Sequence, residues 1–280
     1  MCYIEDEVSW MAVITKITAQ QKNKDRYNIF MDYGKGEQYA FSVDEEVLIK
    51  HRLKKGMEMD ELSLIEINYQ DDIRKAYNLA VGYLAARIRS EKEIRDYLNK
   101  KDIEDPVINE VLHKLTEQKY INDLDFAIAY VRTQMNTTDK GVKVIQTELR
   151  EKGIKNGFIE TSLNEYTLEL QIEKAVKLCE KYSKKYTNES KRMLNEKLRS
   201  MLMRKGYTNE VIQIAVRELE QDDSLDGEME AVRHQGEKAS RKYAKFSGYE
   251  YKQKVKQALF RKGFSFELID RYLDSVSEED

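Results

Sequence analysis

Apolar positions return four times along this chain in one spaced arrangement. The segments IRDYLNKKDIEDPVINEVLHKL, IQTELREKGIKNGFIETSLNEY, LRSMLMRKGYTNEVIQIAVREL and VKQALFRKGFSFELIDRYLDSV align without a gap, with apolar or aromatic residues at offsets 0, 4, 9, 14, 18 and 21. In the second copy these are Ile145, Leu149, Ile154, Ile159, Leu163 and Tyr166. Offsets 0 and 4 share one face of a first helix, and 14, 18 and 21 share one face of a second. Between them stand Gly153, Gly206 and Gly263, where a helix would end on a left-handed residue that glycine adopts without a Cβ penalty. The apolar residue that follows can fold back on the last turn. Asp102 takes this place in the first copy, a poorer but tolerated substitute. The second helices are expected to start near Asp105 and Pro106, Asn156, Thr208 and Ser265, which are capping types, with the single proline at N1.

A further helical pattern precedes each hairpin, at 74–88, 123–135, 172–186 and 229–246. The unit is therefore three helices, and Leu98, Leu149, Leu202 and Leu259 set its period at about 50 residues. Such units stack on their neighbours, which predicts an elongated, curved array suited to binding.

Residues 12–67 follow another rhythm. AVITKITA, RYNIFMDY and EQYAFSV alternate apolar and polar residues, and YGKGE supplies glycines for a hairpin turn. SLIEI at 63–67 reads as a further strand, and VDEEVLIKHRLKKG at 43–56 as a helix that stops at Gly56. The expected class is mainly α: a small β-containing module over 1–70, then three-helix, helix-turn-helix-like repeats over 71–122, 123–170, 171–221 and 222–280.

Composition agrees with several small cores rather than one large one, since 41% of the 280 residues are hydrophobic and 35% charged. No apolar run reaches the roughly 18 residues that span a bilayer, and no signal-peptide pattern is visible. Cys2 and Cys179 form no CxxC pair or disulfide framework, so a reducing, cytoplasmic setting is expected. The net charge of −3 hides two basic stretches: 174–205 carries 11 basic and 3 acidic residues, and 233–262 carries 10 and 2. A polyanion could feel both, although a merely solvated lysine face has the same composition.

Catalytic chemistry finds no foothold. His51, His113 and His234 are far apart and lack metal-ligand spacing, so neither metal nor cofactor is expected. The GKG lacks the remaining P-loop residues, and Cys179 has the spacing of a small core residue. Glu91 with Glu93, and Asp123 with Asp125, suit helix starts, where negative charge meets the helix dipole.

The segments RKAYNLAVGYLAARIRSEKEIRDYL and EQKYINDLDFAIAYVRTQMNTTDKGVKVIQTELREKGI resemble the RecX family of bacterial recombination regulators. The stretch RYNIFMDYGKGEQYAFSVDEEVLIKHRLKKG is similar to the extension of its Gram-positive members, so the resemblance runs from about residue 13 to about 275. Departures from it are Asp102, Gly236 inside a helix, and the acidic stretch EQDDSLDGEME between repeats three and four. The resemblance implies a binding protein without catalysis, and a monomer is expected. It would sit in the groove of the RecA filament, meet single-stranded DNA through that filament, and restrain ATP hydrolysis, strand exchange and growth. Candidate contacts are Arg87, Arg89 and Arg95, then Arg132, Lys140 and Lys143, then a lysine-rich surface with Lys181, Lys184, Lys185, Arg192 and Arg199. Arg87 and Arg95 could instead pair with Glu91 or Asp96. Two other functions remain open from sequence: a repressor that reads duplex DNA, and a scaffold with protein partners only. The helices after each turn begin EDPVINE, KNGFIET, TNEVIQI and SFELIDR, poor in base-reading side chains.

Overall fold

The computed structural model describes residues 11–221 and 225–277; Cys2 and part of the acidic 220–230 stretch lie outside them. The chain divides into two compact units, Met1–Phe126 and Ala127–Asp280.

In the first unit, β1 (Ala12–Ala19), β2 (Arg26–Asp32), β3 (Glu37–Asp44) and β4 (Glu58–Met59) form an antiparallel sheet in the order β3-β2-β1-β4. The expected hairpin turn is present. Gly34 and Gly36 have φ of 87° and 98°, and both amides donate to Asp32 Oδ1 at 2.8 Å. Ile14, Ile29, Met31 and Val43 form the buried side of the sheet, with Val47 of α1 (Glu45–Lys50) and Ile67 of α2 (Glu61–Leu84) in the same core.

Two expectations for this module are corrected. SLIEI is not a strand but the second turn of α2, launched where Asp60 accepts the Ser63 amide at 2.9 Å. Its apparent alternation has no sheet to serve, because Leu62 and Ile65 are exposed while Ile67 is buried. The first helix stops at Lys50 rather than Gly56: Arg52 takes φ 51°, and the Leu53 amide donates back to Leu48 O at 3.0 Å. Gly56 instead returns the chain toward β1, its amide donating to Ile14 O at 2.7 Å.

Helix α2 is continuous through residues 70 and 71. Its early Ile67 lies in the sheet core, whereas Ile73, Ala76 and Ala80 enter the core of repeat one. That repeat is completed by α3 (Glu91–Asn99) and α4 (Asp105–Glu117), with Ile94, Leu98, Ile108 and Leu115 fully buried. Ser90 and Glu93 form a capping box at the start of α3. Pro106 is the second residue of α4, not the first, and Glu104 is its N-cap without a side-chain bond.

Helix α5 (Asp123–Thr137) leads into the second unit. There α6 (Val142–Glu151) and α7 (Asn156–Leu163) complete repeat two. The next triplet is α8 (Leu168–Ser183), α9 (Lys191–Lys205) and α10 (Asn209–Gln221), followed by α11 (Leu225–Tyr243), α12 (Gly248–Arg261) and α13 (Phe266–Ser277). Thr208 and Ser265 cap as expected, accepting the amides of Val211 and Leu268 at 3.4 and 3.3 Å. Asn156 does not cap, because Lys155 occupies that place and makes no side-chain bond.

All four turns close alike. Asp102, Gly153, Gly206 and Gly263 have φ of 58°, 82°, 86° and 86°. In each, the following amide reaches back to the leucine at offset 4: Ile103 to Leu98 at 3.3 Å, Ile154 to Leu149 at 3.1 Å, Tyr207 to Leu202 at 3.1 Å and Phe264 to Leu259 at 3.4 Å. This is the Schellman end, and it explains why the apolar residue after the glycine recurs. Gly236 also has a packing reason: a Cβ there would lie 2.3 Å from the Tyr272 ring, so its absence seats Tyr272 against α11.

Candidate functional site

Within the second unit, the turn of one repeat is held by the repeat before it. The Gly141 amide, just before α6, donates to Lys205 O at 2.7 Å, and the Lys143 amide donates to Gly206 O at 3.0 Å. Lys205 Nζ lies 3.2 Å from Asp139 Oδ2. One repeat further on, Ser190 caps α9 and also donates its hydroxyl to Lys262 O at 2.6 Å. A Cβ on Gly206 or Gly263 would come within 2.7 Å of Val144 or Ser190. These glycines therefore serve two needs, a left-handed backbone and a close approach. Lys174 of α8 adds to the junction, its ammonium bonding Met135 O and, at 2.8 Å, Thr138 O at the end of α5. Burial holds its pKa below the usual lysine value.

The expected cations fall into two groups. Arg87 is clamped by Glu93 with bonds of 3.1 and 3.0 Å, which raise its pKa. The guanidinium of Arg89 sits 3.8 Å from the centroid of Tyr83, which stacks on Tyr97 at 4.1 Å and 7°. Arg95 bonds Asn109 at 2.7 Å and lies 3.8 Å from Asp105. Ion pairing of Arg87 is thus real, but its partner is Glu93 rather than Glu91; Arg95 reaches across to α4, not to Asp96. Arg132 makes a two-pronged pair with Glu165 at 2.9 and 3.0 Å, whose hydrogen bonds hold the Glu165 carboxyl below its usual range. Lys140 bonds Glu148 at 2.5 Å, and Glu148 also accepts from the Tyr130 hydroxyl at 2.9 Å.

The second group makes no ion pair among the described residues. It comprises Lys143 in repeat two and Lys181, Lys184, Lys185 and Arg199 on the α8 to α9 hairpin, all exposed. Arg192 is exposed as well but lies 3.5 Å from Glu196 one turn along its own helix. Beside these cations Tyr182 and Tyr186 lie 4.7 Å apart, with Lys197 Nζ 4.5 Å from the Tyr186 centroid. The arrangement can offer positive charge and ring faces to an anionic surface.

Among the described residues, no cluster of His, Cys, Asp and Glu could hold a metal ion, and no helix is long and apolar enough to cross a membrane. Cys179 is fully buried, and burial pushes its thiol up to about 11, far from a reactive thiolate.

Sequence reasoning missed the junction residues Gly141, Lys174 and Ser190. Only Ser190 carried a local signal, as a capping residue before a helical run.

Fold and surface together define a tandem three-helix repeat protein with a small sheet module at its front and cations displayed along its helices. The comparisons with known proteins give that class a family. The "Regulatory protein RecX N-terminal domain" matches residues 12–60, the "RecX, first three-helix domain" 76–115, and the "RecX, second three-helix domain" 122–163. The "RecX, third three-helix domain" matches twice, over 169–216 and 226–273, so the last repeat is a second copy of the third kind. The Regulatory protein RecX of Bacillus cereus (strain AH820) is 46% identical over 269 residues, covering 96% of this chain and all of that one. That of Bacillus cytotoxicus is 44% identical over the same length. A crystal structure of regulatory protein RecX superposes with a TM-score of 0.66 at 38% identity, covering 73% of this chain and 98% of its own. RecX from Lactobacillus salivarius superposes at 0.53 and 41% identity, covering 54% and 99%. The chain belongs to the RecX family of regulatory proteins.

Proposed function

We propose that this protein binds the RecA filament on single-stranded DNA and restrains its ATP hydrolysis, strand exchange and growth. It would act in the cytoplasm as a monomeric regulator of homologous recombination and DNA repair, with no turnover of its own. The observation that carries this reading is family membership across nearly the whole chain, including every repeat. The surface supports it: Lys143, Lys181, Lys184, Lys185 and Arg199 are exposed, make no ion pair among the described residues, and can approach phosphates or acidic side chains. Arg87, Arg89, Arg95, Arg132 and Lys140 are proposed to contribute through their exposed edges while shaping the repeats that carry them.

A duplex-reading repressor is the alternative, and the first turns of the second helices speak against it. In repeats one and three they carry Asp105 and Glu210, which would face phosphates with like charge. Sedimentation with RecA filaments on single strands, against naked duplex and naked single strand, separates the readings. Enrichment with the filament and slowed ATP hydrolysis are expected. Tight binding to duplex with RecA unaffected would replace this proposal by the repressor.

A further inference from the structure

The last repeat displays an aromatic pair that its sister repeats lack. Phe260, near the end of α12, and Phe266, the first residue of α13, stack at 4.5 Å between centroids and 10° between planes, yet are 47% and 52% exposed. The matching positions are Asn99 and Asp105 in repeat one, and Met203 and Asn209 in repeat three. In repeat two they are Arg150 and Asn156, joined by a 3.3 Å hydrogen bond. The turns share one backbone geometry, with Gly153 at φ 82° and Gly263 at φ 86°, so the fold does not call for rings here. Rings left half in water add little to stability, and a paired exposure of this kind marks an interaction site.

The pair ends a longer stripe. Tyr249, Gln253, Lys256 and Phe260 follow one another at spacings of four, three and four, which places them on one face of α12. The stripe runs about 16 Å at the helical rise. Tyr249 is 79% exposed, and Gln253 Nε2 donates to its hydroxyl at 3.0 Å. Lys256 Nζ bonds Asp270 Oδ1 of α13 at 2.6 Å and lies 5.4 Å from the Phe266 centroid, so it ties the stripe to α13. Arg261 and Lys262 come directly after Phe260, exposed and without an ion pair among the described residues. No described ring or cation covers the outer face of Phe260.

We propose that this stripe is a stacking platform for single-stranded nucleic acid, with bases on the outer face of Phe260 and on Tyr249. The phosphates would be met by Arg261 and Lys262, since Lys256 is engaged by Asp270. Every base has a π-face, so the platform would tolerate any sequence, and the excess of cations over acids in 233–262 complements a polyanion. An apolar protein segment would suit the rings but leave the flanking cations unused, and a duplex offers no free base face. The proposal rests on the filament reading only in sharing its ligand; it concerns strands free of RecA.

The test is fluorescence anisotropy of a labelled oligothymidylate of roughly twenty nucleotides with the full chain. Phe260→Ala with Phe266→Ala should weaken binding about tenfold or more, and Phe260→Trp should retain it. Abasic sites in the strand should weaken binding by the wild type and leave the double variant unchanged. Equal affinity of wild type and double variant would overturn the platform, as would an equal loss on duplex. RecA-driven ATP hydrolysis is measured in parallel. A double variant that binds strands normally but no longer inhibits RecA would mean the rings dock on protein, sinking this proposal and sparing the filament reading. Strand binding that follows the prediction in a wild type without effect on RecA would do the reverse.

Discussion

Arg26 of β2 and Asp71 of α2 are joined by two hydrogen bonds, of 3.2 and 2.8 Å, across 45 residues of chain. Asp71 is 2% exposed and also accepts the Asp44 amide at 2.8 Å, so one carboxylate ties two strands to the long helix. Burial alone would raise its pKa. The bonds from Arg26, Lys75 and the Asp44 amide outweigh that and hold it below the usual carboxylate value. We predict that Asp71→Ala lowers the stability of the sheet module by about 2 to 3 kcal/mol, because half-buried Arg26 keeps only its bonds to Ser42 and the Asp44 amide loses its acceptor.

The same carboxylate sets a pH dependence. Its folded pKa is depressed, so its contribution is complete above the unfolded carboxylate value of about 3.9 and is lost as pH falls through the lower folded value. Urea melts of wild type and Asp71→Asn, followed through the sheet module, should differ most near neutral pH and converge in acid. A gap that stayed constant down to pH 2 would sink this assignment. A fragment beginning at residue 71 retains the buried members of the repeat-one core from Ile73 onward. It should keep a helical spectrum; aggregation would mean that the sheet module completes that core.

Two glycines with nearly equal backbone angles should respond unequally. Gly153 and Gly206 have φ of 82° and 86°, but Gly153 is exposed while a Cβ on buried Gly206 would lie 2.7 Å from Val144. Alanine at either position costs about 1 kcal/mol for the left-handed backbone, and at Gly206 overpacking adds about 1 to 3 more. Asp102→Gly should be neutral or slightly stabilising. Matching thermal shifts for Gly153→Ala and Gly206→Ala would show that the Gly141 to Gly206 junction gives way freely.

Charge reversals should sort the cations by their work. Arg89→Glu with Lys140→Glu removes a guanidinium stacked on Tyr83 and the partner of Glu148, so it should lower the melting temperature as well as inhibition of RecA. Lys181→Glu with Lys184→Glu breaks no described ion pair; it should leave melting nearly unchanged and weaken inhibition. Each lost phosphate contact should also flatten the log–log salt dependence by roughly one unit. Inhibition unaltered at every salt concentration would remove the α8 to α9 face from the interface.

Cys179 gives a probe of unfolding. With its thiol pushed up to about 11 inside the core, it should resist alkylation at pH 8 in the folded chain and react once urea opens repeat three. Peptide mass spectrometry distinguishes it from Cys2. Rapid labelling of native Cys179 would show that α8 and α9 part readily.

Much of this architecture is local and was legible in the residues. Offsets 0 and 4 predicted Ile94, Leu98, Ile145, Leu149, Leu198, Leu202, Val255 and Leu259, and all are fully buried. The left-handed turns, including that of Asp102, follow from the same local chemistry, since a helix end is closed by residues within six positions of one another. SLIEI misled because five residues of alternation fit a strand and a helix turn equally well; the Asp60 cap and the helical continuation to Leu84 decide between them.

The chain by itself thus determined the number of repeats, their helix faces and their turns, because periodicity and capping act over a few residues. Only the tertiary structure decided which cations are paired: Arg87 and Arg132 find Glu93 and Glu165, while Lys181, Lys184 and Lys185 make no ion pair among the described residues. It also decided that Asp71 meets Arg26 and that Gly206 must stay small for Val144. Such pairings depend on which surfaces folding brings together from distant parts of the chain. A single sequence records the residues on both sides of each contact, but carries no periodic sign that they meet.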